Sequence, residues 1–373
     1  MSTQDWIDKA RKLGPELAEV TARHDEDGTF VEESFAALKD EGFFKALVPT
    51  ELGGGGAGFR DICEFIREIS QHCASTGLAF SMHSHLIAAT VWKYKLGKPG
   101  EAMLRKVVDK DLILVSTGAG DWLDSNGVLA KVDGGFRYTS KKPFASGSPV
   151  ANMMVTSGRY DDPDTGSMVL HFPLAFSAEG VTRGDDWDTH GMRGTGSNTV
   201  SIDGAFIPDE SVALSRPRGP WHPAFNVIST LALPIIMSTY VGVAERAVTL
   251  ALASAKKRSG SVENQFLAGE LSNQLFTVHA LWNAHIANAN EYDFAPELAR
   301  ATAAVQGKTT LAEACIRTVE TAMELGGGSA FFRKSGIEKL MRDVRAAPYH
   351  PLQPKRQHLF SGRVALGLEP IAS

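Results

Sequence analysis

The order of secondary-structure signals along the chain constrains the fold more than any single motif does. Up to about residue 111, apolar residues recur every three or four positions, as in "FRDICEFIREISQHC", which predicts a series of amphipathic helices. From Leu112 to about residue 215 the chain contains β-branched runs and turn pairs, such as "VLAKVDGGFRYTS", with no helical segment between the predicted strands. After Pro220 the helical periodicity returns and persists.

Consecutive strands without crossover helices are typical of antiparallel pairing. The sequence therefore predicts an α+β protein with an N-terminal α-helical domain (1–111), a middle antiparallel β-barrel or sandwich domain (112–215) and a C-terminal four-helix bundle (216–373). The longest apolar run, 224–243, approaches membrane-spanning length but includes Asn226 and several hydroxyl side chains. We interpret it as a buried bundle helix and predict no membrane span.

A glycine-rich stretch raises the question of nucleotide binding. "ELGGGGAGF" places Gly53, Gly55 and Gly58 in the spacing G-x-G-x-x-G. A dinucleotide-binding loop requires a β-α-β unit, in which backbone N–H groups at a helix N-terminus approach the pyrophosphate. Here the stretch lies in a helical region behind one apolar tetrapeptide, "KALV". We interpret it as a turn between helices in which glycine supplies positive φ.

Composition excludes several classes of protein. The net charge of -5 and the even mixing of charges provide no basic face for a polyanion, so no nucleic acid partner is expected. Cys63, Cys73 and Cys315 show no C-x-x-C or Cys/His ligand spacing, and neither disulfides nor a metal site is predicted. The segment "MSTQDWIDKARKLG" lacks the apolar core of a secretory signal, which favours a cytoplasmic protein.

Seven segments, in the same order, resemble motifs of the acyl-CoA dehydrogenase superfamily, and together they extend over nearly the whole chain. They are "VPTELGGGGAG", "LVSTG", "SKKPFASGSPVAN", "WDTHGMRGTGSNTVSIDGAFIP", "GVAERAVTLALASAKKR", "ELGGGSAFF" and "KLMRDVR". The resemblance implies a flavin, usually FAD, held between the β domain and the C-terminal bundle. It also implies a homodimer or homotetramer.

The resemblance assigns flavin contacts to two segments. It places Phe144 where an aromatic side chain packs on the flavin ring, and Ser146 where a hydroxyl group bonds flavin N5. A hydroxyl suits N5, which accepts a hydrogen bond when oxidised and carries a hydrogen when reduced. Ser116 and Thr117 correspond to groups that contact the pyrimidine ring, although Ser-Thr-Gly replaces the family's usual Thr-Glu-Pro-like sequence. The alternative for Ser146 is an ordinary turn serine.

A second set of residues corresponds to the family's contacts with the adenosine diphosphate part of FAD. Arg258 lies sixteen residues after Gly242, the spacing of an arginine that reaches the diphosphate of a neighbouring subunit. The family's Phe-Gly after this arginine is missing, and the alternative is a basic helix C-terminus. Gly326, Gly327 and Gly328 correspond to the family's glycine loop, and their alternative role is a helix C-cap.

The position of the family's catalytic base carries no carboxylate. A dehydrogenase of this family needs one to remove an α-proton, yet the usual glutamate position falls on Pro351 and the alternative position on Ala232. His350 precedes Pro351, and histidine can act as base, acid or hydrogen-bond donor near neutral pH. Its alternative role is to cap a turn. His83 and His85 resemble residues of a cavity-facing helix, and one of the two is expected to be a core or surface histidine.

Three functions follow from the resemblance. The first is acyl-CoA dehydrogenase-like oxidation of an apolar small molecule or acyl thioester, with His350 in place of the glutamate and an electron-accepting flavoprotein as partner. The second is a two-component monooxygenase with C4a-hydroperoxide chemistry, which uses reduced FAD or FMN from a flavin reductase. "RDVRAAPYHPLQPKRQH" resembles the dibenzothiophene type of these monooxygenases. The third, a non-catalytic flavin-binding scaffold, is the least favoured.

Overall fold

The computed structural model describes residues 3–117 and 123–371. The N-terminal part is helical, as predicted. On α3 the apolar residues recur at intervals of three and four and form one buried face, which packs against α1, α4 and α6. The N-terminal helices are α1 (Thr3–Asp27), α2 (Glu32–Asp40), α3 (Phe59–Ser70), α4 (Ala74–Lys95) and α5 (Glu101–Lys110).

The middle of the chain forms one sheet, with the strand order β6-β7-β3-β2-β4-β5-β8 and with β1 also paired to β4. The Asp-Gly pair makes a two-residue turn between β2 and β3, because Val132 is paired with Gly135. The strands are β1 (Leu114–Ser116), β2 (Val128–Val132), β3 (Gly135–Lys142), β4 (Met153–Asp162), β5 (Gly166–Ala175), β6 (Val181–Arg183), β7 (Val200–Pro208) and β8 (Leu214–Pro217).

The sheet is mixed, which differs from the purely antiparallel pairing expected from the sequence. Strands β1 and β2 both pair with β4 in parallel, whereas the other pairs are antiparallel. Leu114 lies opposite Met153, and Val128 lies opposite Arg159. Strands β1 and β2 therefore follow one another along the same edge of β4. They run in the same direction because no hairpin turn separates them.

The C-terminal part is a helical bundle organised around α6. Its helices are α6 (Ala224–Ala255), α7 (Val262–Ala287), α8 (Leu298–Gly326), α9 (Ile337–Val344) and α10 (Pro354–Ala365). Helices α6, α7 and α8 are long, and the shorter α9 packs against α6 and α8. Among the described residues, α6 alone is long and apolar enough to cross a membrane, but 94% of its most apolar window is buried in the protein. The predicted α+β fold class is confirmed.

The glycine-rich stretch is a structural turn. Gly53 has φ +84°, and a Cβ on Gly54 would collide with the carbonyl oxygen of Val48. The N–H groups of residues 53–57 all donate to nearby carbonyls, those of Thr50, Pro49, Lys45, Val48 and Ala46 in turn. Because these N–H groups are already used, none is left for a phosphate, and the dinucleotide interpretation is excluded.

Candidate active site

Helix α4 brings three parts of the chain together along one side. Ala79, Met82 and His85 are three residues apart and share a helical face. A Cβ on Gly147 would lie 3.8 Å from the carbonyl oxygen of Ala79, and the Ser116 hydroxyl is 3.6 Å from the Met82 sulfur. His85 lies close enough to His350 to influence its pKa. The loop after β3, the end of β1 and the loop after α9 therefore lie along α4.

The loop after β3 presents the two residues predicted to contact the flavin ring. Phe144 is 55% exposed and has φ +62°, a conformation that is costly for a bulky side chain and that often marks functional sites. The edge of its ring faces Trp187, with 6.1 Å between the ring centroids. Ser146 is 8% exposed, and its hydroxyl lies 2.7 Å from that of Ser197. The structure therefore places an accessible aromatic ring beside a hydroxyl group.

Ser146 belongs to a chain of three hydroxyl groups, which we call the hydroxyl chain. Ser197 Oγ lies 2.7 Å from Thr195 Oγ1, and the Thr195 hydroxyl donates to the carbonyl oxygen of Met192 at 3.0 Å. The sequence analysis did not identify Ser197 or Thr195. Their signal is the run of small and hydroxyl residues in "RGTGSNT", in a segment that the family resemblance already covers.

Ser116 and Thr117 lie at the end of β1, and both are half-buried. Ser116 donates to the Met82 sulfur, and the Thr117 hydroxyl lies 3.5 Å from that of Thr156 on β4. Both predicted residues thus lie between α4 and β4, next to the face of α4 that carries Ala79, Met82 and His85.

His350 lies in the loop between α9 and α10, residues 345–353, and its imidazole bonds a side chain. Its Nε2 is 2.6 Å from the Tyr240 hydroxyl of α6. Burial, together with smaller effects of the nearby Lys308 and His85, lowers the pKa of His350 to about 3. Burial also raises the pKa of Tyr240 well above its usual value. At neutral pH the pair is therefore a neutral imidazole and a protonated phenol.

Lys308 of α8 anchors the same loop and was not identified from the sequence. It is fully buried, and its Nζ donates to the carbonyl oxygens of Pro348 at 3.1 Å and Leu352 at 2.8 Å, on either side of His350. Burial lowers its pKa to about 8. The signal in the sequence is a lysine at a core position of an apolar helix face, beside Val305 and Ala312.

Among the described residues, Lys308 and His85 are the two whose charges shift the pKa of His350. Neither is a carboxylate. The residues that the family resemblance matches to the two glutamate positions are Pro351 and the buried Ala232. In the part of the chain that the structure describes, the hydrogen-bond partner of the imidazole is the Tyr240 phenol and not a carboxylate.

His83 bonds two backbone groups, which favours the core-histidine alternative for this residue over a place in the substrate cavity. Leu114 N donates to its Nδ1 at 3.1 Å, so Nε2 carries the hydrogen and donates to the Phe44 carbonyl at 2.6 Å. Both nitrogens are used, and burial lowers its pKa to about 4. His85 donates from Nδ1 to the Ser81 carbonyl and lies close enough to His350 to influence its pKa, so it stays a candidate contact.

Arg258 and the glycine loop meet where α8 ends. The Arg258 Nη2 donates to the carbonyl oxygen of Leu325 at 2.9 Å, and a Cβ on Gly327 would lie 3.5 Å from Nη1. Gly327 has φ +63°, and a Cβ on Gly326 would be 2.7 Å from Ala330. The three predicted residues therefore form one cluster, in which Arg258 is exposed, Gly326 is buried and the half-buried Gly327 also acts as the C-cap of α8.

Family models match both helical parts of the chain. The model of the acyl-CoA dehydrogenase N-terminal domain covers residues 4–107, and that of the acyl-CoA dehydrogenase C-terminal domain covers residues 235–353. The chain belongs to the acyl-CoA dehydrogenase superfamily, and its homologues are flavin-dependent oxidoreductases.

Individual relatives extend over almost the whole chain. The amino sugar nitrososynthase DnmZ of Streptomyces peucetius is 24% identical over 97% of this chain and 93% of its own length. The structure of KijD3 with FMN and a dTDP-linked amino sugar has a TM-score of 0.88 at 24% identity and covers 98% of this chain and 94% of KijD3. FMN-bound TdsC, a dibenzothiophene monooxygenase of Paenibacillus sp. A11-2, has a TM-score of 0.85 at 19% identity, with 97% of each chain covered.

Proposed function

We propose that this protein is a flavin-dependent monooxygenase that takes up reduced flavin, and that His350 and Tyr240 handle protons in its reaction. The observation that carries the proposal is the neutral His350–Tyr240 pair at a site where both glutamate positions of the family carry other residues. An imidazole whose pKa is about 3 is a weak base, so it is poorly suited to removing an α-proton.

The residues present fit a flavin. Phe144 offers an exposed aromatic surface, Ser146 a hydroxyl group that accepts or donates, and Arg258 an exposed cation beside Gly327. When bound, the flavin supplies the electrons and, in its reduced form, reactivity toward dioxygen. FMN in KijD3 and TdsC supports FMN as the cofactor, with FAD as the second possibility.

In this proposal each residue has a defined task. Phe144 and Trp187 exclude water from one side of the ring, and Ser146 bonds N5. When Tyr240 donates to Nε2 of His350, Nδ1 carries the ring hydrogen and serves as a neutral donor to an oxygen atom. Lys308 holds the 345–353 loop so that this donor keeps its position.

We propose an apolar small molecule as the substrate. The helices α4 and α6 are apolar with scattered hydroxyl groups, which suits a ligand of this kind. The dTDP-linked amino sugar bound to KijD3 is a second class to assay.

Dehydrogenation of an acyl thioester is the second candidate function, because both family models are acyl-CoA dehydrogenase domains. The experiment compares two conditions. Bleaching of bound oxidised FAD by acyl-CoA without oxygen supports dehydrogenation. Binding of reduced FMN or FAD, followed by an oxygen-dependent change in absorbance, supports oxygenation. A protein that binds flavin but shows neither response would leave the flavin-binding scaffold, and one that binds neither redox form would contradict all three functions.

We also propose a homo-oligomer that receives reduced flavin from a separate reductase. Large apolar side chains are exposed on α7 and after α8, at Val262, Phe266, Phe276, Phe331 and Phe332. A second copy of the chain would remove them from water. Phe331 and Phe332 follow the Arg258 and Gly327 cluster directly, so an oligomer contact there would enclose the cluster. Light scattering of the purified protein tests this, and a monomer at micromolar concentration would contradict it.

A further inference from the structure

The hydroxyl chain has a single direction that satisfies every hydrogen. The Thr195 hydroxyl donates its only hydrogen to the Met192 carbonyl, so its oxygen can only accept from Ser197. Ser197 has then used its own hydrogen and must accept from Ser146. The hydrogen of Ser146 therefore points into the protein, and the accessible side of its oxygen presents lone pairs.

The inner end of the chain is fixed in place. Met192 N donates to Asp343 Oδ1 of α9 at 2.6 Å, and Asp343 is fully buried. Thr195 is also fully buried, Ser197 is 4% exposed, and Ser146 is 8% exposed. Exposure thus increases from Thr195 to Ser146, which is the most exposed member of the hydroxyl chain.

We propose that Ser197 and Thr195 are positioning residues that orient Ser146 as a hydrogen-bond acceptor, so that the site binds reduced flavin more tightly than oxidised flavin. This rests on the proposed function, in which Ser146 bonds flavin N5. Reduced N5 carries a hydrogen and can donate to Ser146. Oxidised N5 only accepts, and it therefore requires a donor that the hydroxyl chain does not offer.

Ser146 could donate to oxidised flavin only if every hydrogen bond of the hydroxyl chain reversed its direction. Thr195 would then donate to Ser197, and the Met192 carbonyl would lose one of its three donors. It would keep the Trp187 indole N–H at 3.0 Å and the Thr195 backbone N–H at 3.2 Å. The difference is about one neutral hydrogen bond, so we expect a preference for reduced flavin of roughly two- to tenfold.

The experiment measures dissociation constants of oxidised and reduced FMN by anaerobic titration. The wild-type protein should favour reduced FMN. In Thr195→Val the Ser197 hydrogen loses its acceptor and turns to Ser146, which then directs its own hydrogen outward. The ratio of the two constants should shift toward oxidised FMN by roughly two- to tenfold. In Ser197→Ala the orientation is lost, and the ratio should approach one.

Two control variants isolate the orientation from the loss of a buried hydroxyl. Ser148→Ala removes a fully buried hydroxyl of the same loop, which donates to the Gly196 carbonyl at 3.1 Å outside the hydroxyl chain. Thr195→Ser keeps the hydroxyl and removes only a methyl group. Both should retain the wild-type ratio, and thermal melting confirms that each variant folds.

The outcomes separate the two proposals. One outcome is that Thr195→Val and Ser197→Ala show the same ratio of dissociation constants for oxidised and reduced FMN as Ser148→Ala. In that case the orienting role of the hydroxyl chain is wrong, while the proposal of flavin binding stands. If Thr195→Val does not fold, Ser197→Ala decides alone. A wild-type protein that binds neither form would remove the proposed function, and this inference with it.

Discussion

The N-terminal helical region and the C-terminal region contain the same two features, a glycine-rich loop and a histidine, and use them differently. In the N-terminal loop the N–H groups of residues 53–57 all donate to carbonyls of the chain. In the C-terminal loop the Gly327 N–H also donates to carbonyls of α8, but the exposed guanidinium of Arg258 lies beside this glycine and uses Nη2 on the Leu325 carbonyl. One loop closes on itself, whereas the other leaves a cation at the surface.

The histidines differ in the same way. Both ring nitrogens of His83 bond backbone groups, from Phe44 and Leu114. His350 bonds one side chain, Tyr240, and its other ring nitrogen has no hydrogen-bond partner among the described residues. The comparison teaches that a polar group can serve function only with the hydrogen-bonding capacity that the fold has not already used.

The largest effect is expected from removing the imidazole at each site. His350→Ala should lower turnover by roughly 10²- to 10⁴-fold, the range for loss of a proton-transferring group, with little change in flavin affinity. His83→Ala should instead lower the free energy of unfolding by about 2–3 kcal/mol, because two buried backbone groups lose their partner. Steady-state kinetics measures the turnover of His350→Ala, and denaturant unfolding measures the stability of His83→Ala. Wild-type turnover in His350→Ala would end the functional assignment of His350.

The second effect concerns the closed glycine loop. In Gly54→Ala the new methyl group meets the backbone of Val48, which cannot move without breaking the bonds of residues 53–57. We expect a loss of about 3 kcal/mol in the free energy of unfolding, at the upper end for overpacking, with flavin affinity of the folded protein unchanged.

The matched control is Gly362→Ala in α10. This glycine is exposed, and a Cβ there would meet no atom within 4 Å. Alanine should stabilise the helix by about 0.5–1 kcal/mol. Equal effects of the two substitutions would show that the N-terminal loop is not closed in the way described.

The sequence could predict the fold class, because the order of helix and strand periodicity and the ordered motifs agree. It could also predict that Arg258 and the glycines of 326–327 belong together, since the resemblance relates both to one part of a cofactor. Tyr240 and Lys308 were missed because each lies in an apolar helix face at least 40 residues from its partners, where polar residues resemble ordinary core positions. His83 and His85 could not be told apart, since the backbone partners of His83 come from distant segments.

The smallest expected effect tests whether Arg258, beside the C-terminal glycine loop, binds the diphosphate of FAD. Arg258 already bonds the Leu325 carbonyl, and its remaining N–H groups can hold a phosphate. The single ammonium group of a lysine cannot bond this carbonyl and hold a phosphate at the same time. Arg258→Lys should therefore weaken FAD binding about tenfold and leave FMN binding unchanged, since FMN has no diphosphate.

The control is Lys256→Gln, which removes an exposed cation from the same helix end. If Arg258 serves only as a basic helix C-terminus, both substitutions change stability by a few tenths of a kcal/mol and neither changes FAD or FMN affinity. That result would make Gly327 a C-cap alone. The two glycine loops would then both be structural, and the contrast between the regions would rest on the histidines.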